Sequence, residues 1–142
     1  MMRIGLAVLS YLVPTFALGF VWHLMLFDQY YKALQIYRSD IVIPFGVLAM
    51  LIQGALFAWI YARVFAGSPG SLAKRAISYG LLGAALSWSF TTLAVAAKNV
   101  MTSVPDYLLI ETGYTLVQWA MVAPLTVLAF DRLAKPSVAV PA

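Results

Sequence analysis

The chain lacks cysteine altogether, and it contains a single histidine, His23, among its 142 residues. The missing thiols exclude disulfides, iron–sulfur clusters, thiolate zinc sites and dithiol redox chemistry. One histidine and no paired carboxylates within an apolar segment are also too few ligands for a metal cluster. We therefore predict no metal site.

Charged side chains are the second scarce class. Only 10% of the residues are charged, whereas 63% are hydrophobic and the mean hydropathy is +0.91. A soluble domain needs a polar surface, and five acids with nine bases cannot supply one. The chain is therefore predicted to lie in a membrane. Its net charge of +4 indicates loops that contact lipid headgroups, and no basic run interleaved with aromatic residues suggests nucleic acid as a partner.

Four apolar segments are long enough to cross a hydrocarbon core of about 30 Å as helices. We predict a single all-α, polytopic domain, an antiparallel four-helix transmembrane bundle. In the third segment Gly80, Gly83, Ala84 and Ser87 share one helical face, which favours close helix–helix contact. The predicted spans cover residues of about 4–27, 41–65, 76–97 and 107–130, followed by a flexible tail at 131–142.

Residues 28–40 form the predicted connection between the first two spans. Tyr30, Tyr31, Leu34 and Tyr37 recur there at helical spacing. Tyrosine prefers the headgroup level, where its ring is buried and its hydroxyl stays in water. We therefore expect a short interfacial helix that lies on the membrane. It is either a plain connector or a lid over a substrate.

The basic residues predict the orientation of the spans, because cytoplasmic loops carry the excess of Lys and Arg. With the N-terminus inside, six bases face the cytoplasm and three face the opposite side. This count predicts a multi-pass inner-membrane protein with both termini in the cytoplasm. The inner set is Arg3, Arg63, Lys74, Arg75, Arg132 and Lys135, and the outer set is Lys32, Arg38 and Lys98.

One carboxylate, Glu111, lies well inside an apolar segment, where an ionisable group costs roughly 2–3 kcal/mol or more. Gln118 follows seven residues later, on the same face of the fourth helix. A polar stripe of this kind must face protein or water. His23, near the outer end of the first span, and Lys98, at the outer end of the third, are expected at about the level of Glu111.

Three interpretations of the polar residues at the level of Glu111 stay open. Glu111 pairs with Lys98 or His23 and fixes only the helix register, or the polar residues line an outward-opening pocket, or Glu111 carries protons in a transport site. The candidate ligand-binding residues are Trp22, His23, Trp88, Lys98, Glu111 and Gln118.

Catalytic and cofactor chemistry find little support. The sequence contains no nucleophile elbow and no phosphate-binding glycine loop, so we assign no catalytic residue and favour a protein that is not an enzyme. A ring nitrogen of His23 is suited to the iron of a haem or the magnesium of a chlorin, but no second axial histidine exists. We therefore predict no cofactor.

Three stretches of the chain are similar to a family of small four-span bacterial membrane proteins of uncharacterised function. They read YYKALQIYRSDIVIPFGVLAMLIQGALFAWIY, WSFTTLAVAAK and IETGYTLVQWAMVAP, and the resemblance covers about Trp22 to Pro124. It implies a bacterial inner-membrane protein and carries no activity with it.

The leading functional hypothesis is a non-catalytic protein in membrane lipid. It is either an accessory subunit of a larger complex or a binder of a small apolar, lipid-like ligand in the outer-side pocket. The alternative is a proton-coupled exporter of hydrophobic cations that uses Glu111 and functions as a homodimer. A third hypothesis is a membrane enzyme in which His23 and Glu111 are an acid–base pair for a lipid-soluble substrate.

Overall fold

The computed structural model describes residues 2–131, and within that range the chain is helical with no strand. Four helices are long and apolar enough to cross a membrane, which confirms the predicted all-α membrane bundle. A short helix joins the first two of them, and residues 132–142, including Arg132 and Lys135, lie outside the described part. The helices are α1 (Met2–Leu26), α2 (Asp28–Leu34), α3 (Ile43–Phe65), α4 (Leu72–Ala96) and α5 (Val104–Asp131).

Helix α4 begins four residues before the predicted span, and α5 begins three before it. Ser71 caps α4, because its hydroxyl accepts a hydrogen bond from the Lys74 amide at 3.2 Å. Pro105 lies in the first turn of α5, where a missing amide hydrogen costs nothing. The bases before the third apolar run and the proline before the fourth are therefore parts of the helices.

Helix α5 is the centre of the bundle. Half of the residues in its most apolar stretch are buried, against 17% in each of the other three spans. It packs against α1 on one side and α4 on the other, and α3 packs mainly against α1. Helix α3 also reaches α5 and α4, because the Phe57 ring lies 4.7 Å from that of Trp119 and the Phe57 carbonyl accepts a hydrogen bond from the Tyr79 hydroxyl at 3.2 Å.

The contact between α4 and α5 depends on the small residues of α4. A Cβ at Gly83 would overlap the Trp119 ring, and a Cβ at Gly80 would lie 3.1 Å from Ala123. Ser87 accepts a hydrogen bond from Nε1 of Trp119 at 3.0 Å. The predicted small-residue face is confirmed as a helix–helix contact.

Helices α1 and α3 touch at one level and separate at another. A Cβ at Gly54 would lie 3.3 Å from the Tyr11 ring, whereas a Cβ at Gly46 would have nothing within 4 Å. Gly46 lies in the first turns of α3, at the end that is joined to α2. The two helices therefore diverge toward that end and leave a wedge between them.

Candidate functional site

The Glu111 carboxylate points into the bundle and is buried, with the residue 7% exposed. Its Oε1 accepts a hydrogen bond from the Tyr31 hydroxyl at 2.5 Å and lies 3.3 Å from Nε2 of His23. The predicted inward orientation of Glu111 is confirmed, and of the two partners considered for it, Lys98 and His23, it is His23 that makes the contact. Two side chains from α1 and α2 thus converge on one oxygen of a carboxylate carried by α5.

The His23 ring is held in one tautomer. Its Nδ1 lies 2.9 Å from the carbonyl oxygen of Gly19, one turn earlier in α1. A carbonyl only accepts, so Nδ1 carries a proton. Nε2 then meets Oε1 of Glu111 across a single proton, either as imidazolium with carboxylate or as imidazole with carboxylic acid. Without that proton, two lone pairs would face each other.

Helix α1 changes its winding at this residue. His23 lies in a π-helical segment, Trp22–Leu26, that ends α1 with a hydrogen bond from the Phe27 amide to the Trp22 carbonyl at 3.0 Å. Single π turns inside α-helices frequently occur at functional sites, because the wider turn re-aims the side chains that follow. The two remaining π segments of the described chain, Tyr61–Phe65 and Trp88–Leu93, likewise start with an aromatic residue.

Aromatic rings surround the His23–Glu111 pair. The His23 ring centroid lies 4.8 Å from that of Tyr31 and 4.6 Å from that of Tyr114. Tyr37 stacks on Tyr31 with a centroid distance of 5.2 Å. These rings limit the access of water to the pair. Loss of the hydrogen bond between His23 and Glu111 would therefore cost more free energy than it would in water.

Tyr31 departs from the expectation for an interfacial tyrosine. It is 1% exposed, and its hydroxyl binds Glu111 instead of water. Burial, with the nearby Glu111 carboxylate second, raises the pKa of Tyr31 far above its ordinary value, so the hydroxyl remains a donor. The spacing of Tyr31 and Leu34 was the available signal, because residues three apart share one helical face that can be buried.

The loop before α5 holds α2 over the bundle. The Thr102 amide donates to the Leu34 carbonyl at 3.1 Å, and its hydroxyl donates to the Ala33 carbonyl at 2.9 Å. Leu34 is buried beside Tyr107 and Ile110 of α5. Helix α2 ends at Gln35, whose φ of 56° is left-handed, so the helix is shorter than the predicted segment 28–40.

The other predicted site residues are dispersed. Trp22 lies beside His23 and packs on Tyr114, with ring centroids 6.0 Å apart. Gln118 donates to Thr15 at 3.1 Å, and Trp88 donates to Thr112 at 2.9 Å. Neither the Gln118 hydrogen bond nor the Trp88 hydrogen bond involves the Glu111 carboxylate.

Lys98 is exposed, and its ammonium makes no ion pair or hydrogen bond within residues 2–131. It follows the last turn of α4, and no hydrogen bond or ion pair joins it to His23 or Glu111. The predicted convergence thus unites His23, Glu111 and Trp22, and it does not include the lysine.

A cavity of about 440 Å³ fills the wedge between α1 and α3. Its wall extends from Thr15 to Leu24 on α1, which is about 14 Å along the helix axis. The volume lies in the range typical of small-molecule sites, and most of the wall is apolar. The wall includes Thr15, Gly19, His23, Tyr37, Gly46 and Tyr114.

Metal and haem chemistry gain no support from this geometry. No group of three His, Cys, Asp or Glu side chains lies together within the described residues. Both ring nitrogens of His23 already face protein oxygens, so neither is available to iron or magnesium without breaking a contact.

A second carboxylate, largely buried with its side chain 15% exposed, occupies the opposite end of α5. Asp131 accepts a hydrogen bond from the Tyr61 hydroxyl at 2.5 Å and pairs with Arg75 at 3.5 Å. The sequence prediction placed Asp131 in the flexible tail and Arg75 in a loop. Asp131 instead is the last residue of α5, and Arg75 lies in the first turn of α4.

The chain matches no known protein-family model, no curated protein and no solved structure. The resemblance to a family of small four-span bacterial proteins therefore stays a prediction, and the functional argument depends on the geometry of the site.

Proposed function

We propose that this chain is a non-catalytic integral membrane protein that binds a small apolar, lipid-like ligand in the cavity between α1 and α3. The single observation that carries the proposal is the wedge itself. An apolar volume of about 440 Å³ is lined in part by His23, whose imidazole contacts Glu111 and Tyr31 on its other side. Pockets with apolar walls and a few fixed polar groups are the usual form of small-ligand sites.

The proposal includes a bacterial inner membrane with both termini in the cytoplasm. Arg3, Arg63, Lys74 and Arg75 lie at one end of the described bundle and the outer set of three bases at the other. Because the chain has no cysteine, single cysteines report the topology. Asn99→Cys should react with a membrane-impermeant maleimide in intact cells, whereas Pro69→Cys should react only after lysis. The reverse labelling pattern would show that both termini lie outside the cytoplasm.

The exporter hypothesis has weaker support. A carrier carboxylate must face the substrate, but Oε1 of Glu111 is occupied by Tyr31 and His23, and Glu111 is not part of the cavity wall. The enzyme hypothesis meets a similar difficulty, because the proposed acid and base bind each other.

The binding function can be tested with a variant whose new side chain fills the cavity. Gly46→Leu places a side chain into the open wedge without meeting an atom within 4 Å of its Cβ. We expect wild-type protein, extracted in mild detergent, to carry a discrete apolar molecule in native mass spectra. Gly46→Leu should lose most of it, because the new side chain takes up the volume.

Gly5→Leu is the matched control. Gly5 is also exposed in a spanning helix, and a Cβ there also meets nothing within 4 Å, but Gly5 does not line the cavity. This variant should keep the bound molecule. Equal retention by the two variants, or no bound molecule in wild type, would refute the proposed function.

A further inference from the structure

The cavity wall contains no Asp, Glu, Lys or Arg. The charged residues of the adjoining connector pair with one another, Lys32 with Asp28 at 2.7 Å and Arg38 with Asp40 at 3.3 Å. A charged ligand head would therefore leave water without gaining a counter-charge, which is costly in an apolar site.

His23 offers no free nitrogen to a ligand. Nδ1 is bound to the Gly19 carbonyl and Nε2 faces Glu111, so neither ring nitrogen is free to bind a ligand that enters the cavity. The histidine and Glu111 together carry no net charge when one proton lies between them. The site thus attracts neither an anion nor a cation through this pair.

Two hydroxyl groups on the wall lack a protein partner. Neither Tyr37 nor Tyr114 makes a side-chain hydrogen bond within residues 2–131, although the hydroxyls of Tyr11, Tyr31, Tyr61 and Tyr79 all do. A tyrosine hydroxyl keeps its proton at neutral pH, because its ordinary pKa is about 10. Each of the two O–H groups can donate to a ligand oxygen.

We propose that the ligand is electrically neutral and presents a carbonyl oxygen to the hydroxyls of Tyr37 and Tyr114, with its apolar part along α1 toward Thr15. This inference rests on the proposed function and adds the chemical class of the ligand. A ketone or quinone and the ester of a membrane lipid share the required chemistry, and the experiment distinguishes them.

The test is a competition among single-chain probes that differ only in the polar group. Delipidated wild-type protein in detergent is offered pairs of probes at equal mole fraction, and occupancy is read by native mass spectrometry. The probes are methyl tetradecyl ketone, methyl palmitate, hexadecylamine, palmitate and hexadecane. We expect at least one carbonyl probe to displace the amine, the carboxylate and the hydrocarbon, and the order of ketone and ester identifies the source.

Tyr114→Phe removes one donor and keeps the ring. It should weaken binding of the preferred carbonyl probe by about threefold to tenfold, the effect of one hydrogen bond, and leave hexadecane unchanged. Tyr30→Phe is the control, because Tyr30 lies outside the cavity and its hydroxyl reaches only the Asp106 carbonyl, at 3.5 Å.

The outcomes separate the two proposals. If all probes bind equally, or a charged probe wins, and Gly46→Leu still blocks binding, the carbonyl assignment is wrong and the cavity function stands. If Tyr114→Phe leaves the carbonyl preference intact, the assignment is also wrong. If no probe binds to wild type, both proposals fail.

Discussion

Each end of α5 carries a carboxylate that is largely removed from water, and the two carboxylates are paired with different bases. Glu111 and Asp131 are 20 residues apart, about 30 Å along the helix, and each is a buried or nearly buried carboxylate. Each accepts a tyrosine hydroxyl at 2.5 Å, from Tyr31 in one case and from Tyr61 in the other. Each also faces one basic side chain, at 3.3 Å for His23 and 3.5 Å for Arg75.

The difference lies in the base. A guanidinium keeps its charge at any working pH, so Arg75 and Asp131 form a permanent ion pair. An imidazole is neutral or charged according to its surroundings, and with Nδ1 of His23 protonated toward the Gly19 carbonyl, a single proton lies between Nε2 and Glu111. The Asp131 cluster therefore serves as an anchor between α4 and α5. The Glu111 cluster is a polar unit without net charge, and only this cluster adjoins the α1–α3 cavity.

Of the substitutions at the two carboxylates, Asp131→Asn is expected to lower the free energy of unfolding most. Asparagine still accepts the Tyr61 hydroxyl, but the Arg75 guanidinium, with a side chain 15% exposed, loses its counter-charge. We expect a loss of about 2–3 kcal/mol in the free energy of unfolding, because breaking a fully buried pair costs roughly 3–5 kcal/mol and this pair retains some solvent. Unfolding in mixed detergent micelles, followed by circular dichroism, measures it.

Asp28→Asn is the control for that variant. Asp28 pairs with Lys32 on the exposed side of α2, where the Lys32 side chain is 65% exposed. An exposed pair of this type contributes between about 0 and 1 kcal/mol. If Asp131→Asn lowers the free energy of unfolding no more than Asp28→Asn does, the Arg75 guanidinium is sufficiently hydrated without its carboxylate partner.

The sequence was sufficient for the spans and for one half of the Glu111 cluster. Apolar length located the four helices, and depth along two of them placed His23 and Glu111 at one level. Tyr31 was missed because an interfacial tyrosine and a buried one have the same local pattern, and only the Thr102 contacts with the end of α2 decide between them. Lys98 was included on depth alone, which does not give the direction of a side chain.

The Asp131 cluster could not be predicted from the chain. Arg75 and Asp131 lie 56 positions apart, each in a stretch that resembles an ordinary polar flank of a span. Their pairing depends on how α4 and α5 pack, and that packing requires the Trp119 ring to lie directly against Gly83. Such tertiary contacts leave no periodicity in either segment. Residues near the ends of spans therefore need coordinates before they are assigned to loops.

A smaller effect is expected for Glu111→Gln. Tyr31 and His23 meet the same oxygen of Glu111, so a glutamine whose amide nitrogen takes that position donates to Nε2 of a neutral His23 and gives up the hydrogen bond from the Tyr31 hydroxyl. No charge is left without a partner and one hydrogen bond is lost, so the free energy of unfolding should fall by about 1 kcal/mol.

Imidazole nitrogen chemical shifts give a second measurement on the same variant, since Nε2 should show the signal of an unprotonated nitrogen while Nδ1 stays protonated. A loss as large as that of Asp131→Asn, or an imidazolium spectrum that persists in Glu111→Gln, would contradict the distinction between the two clusters. His23 would then carry a permanent charge as Arg75 does, and both ends of α5 would be fixed ion pairs.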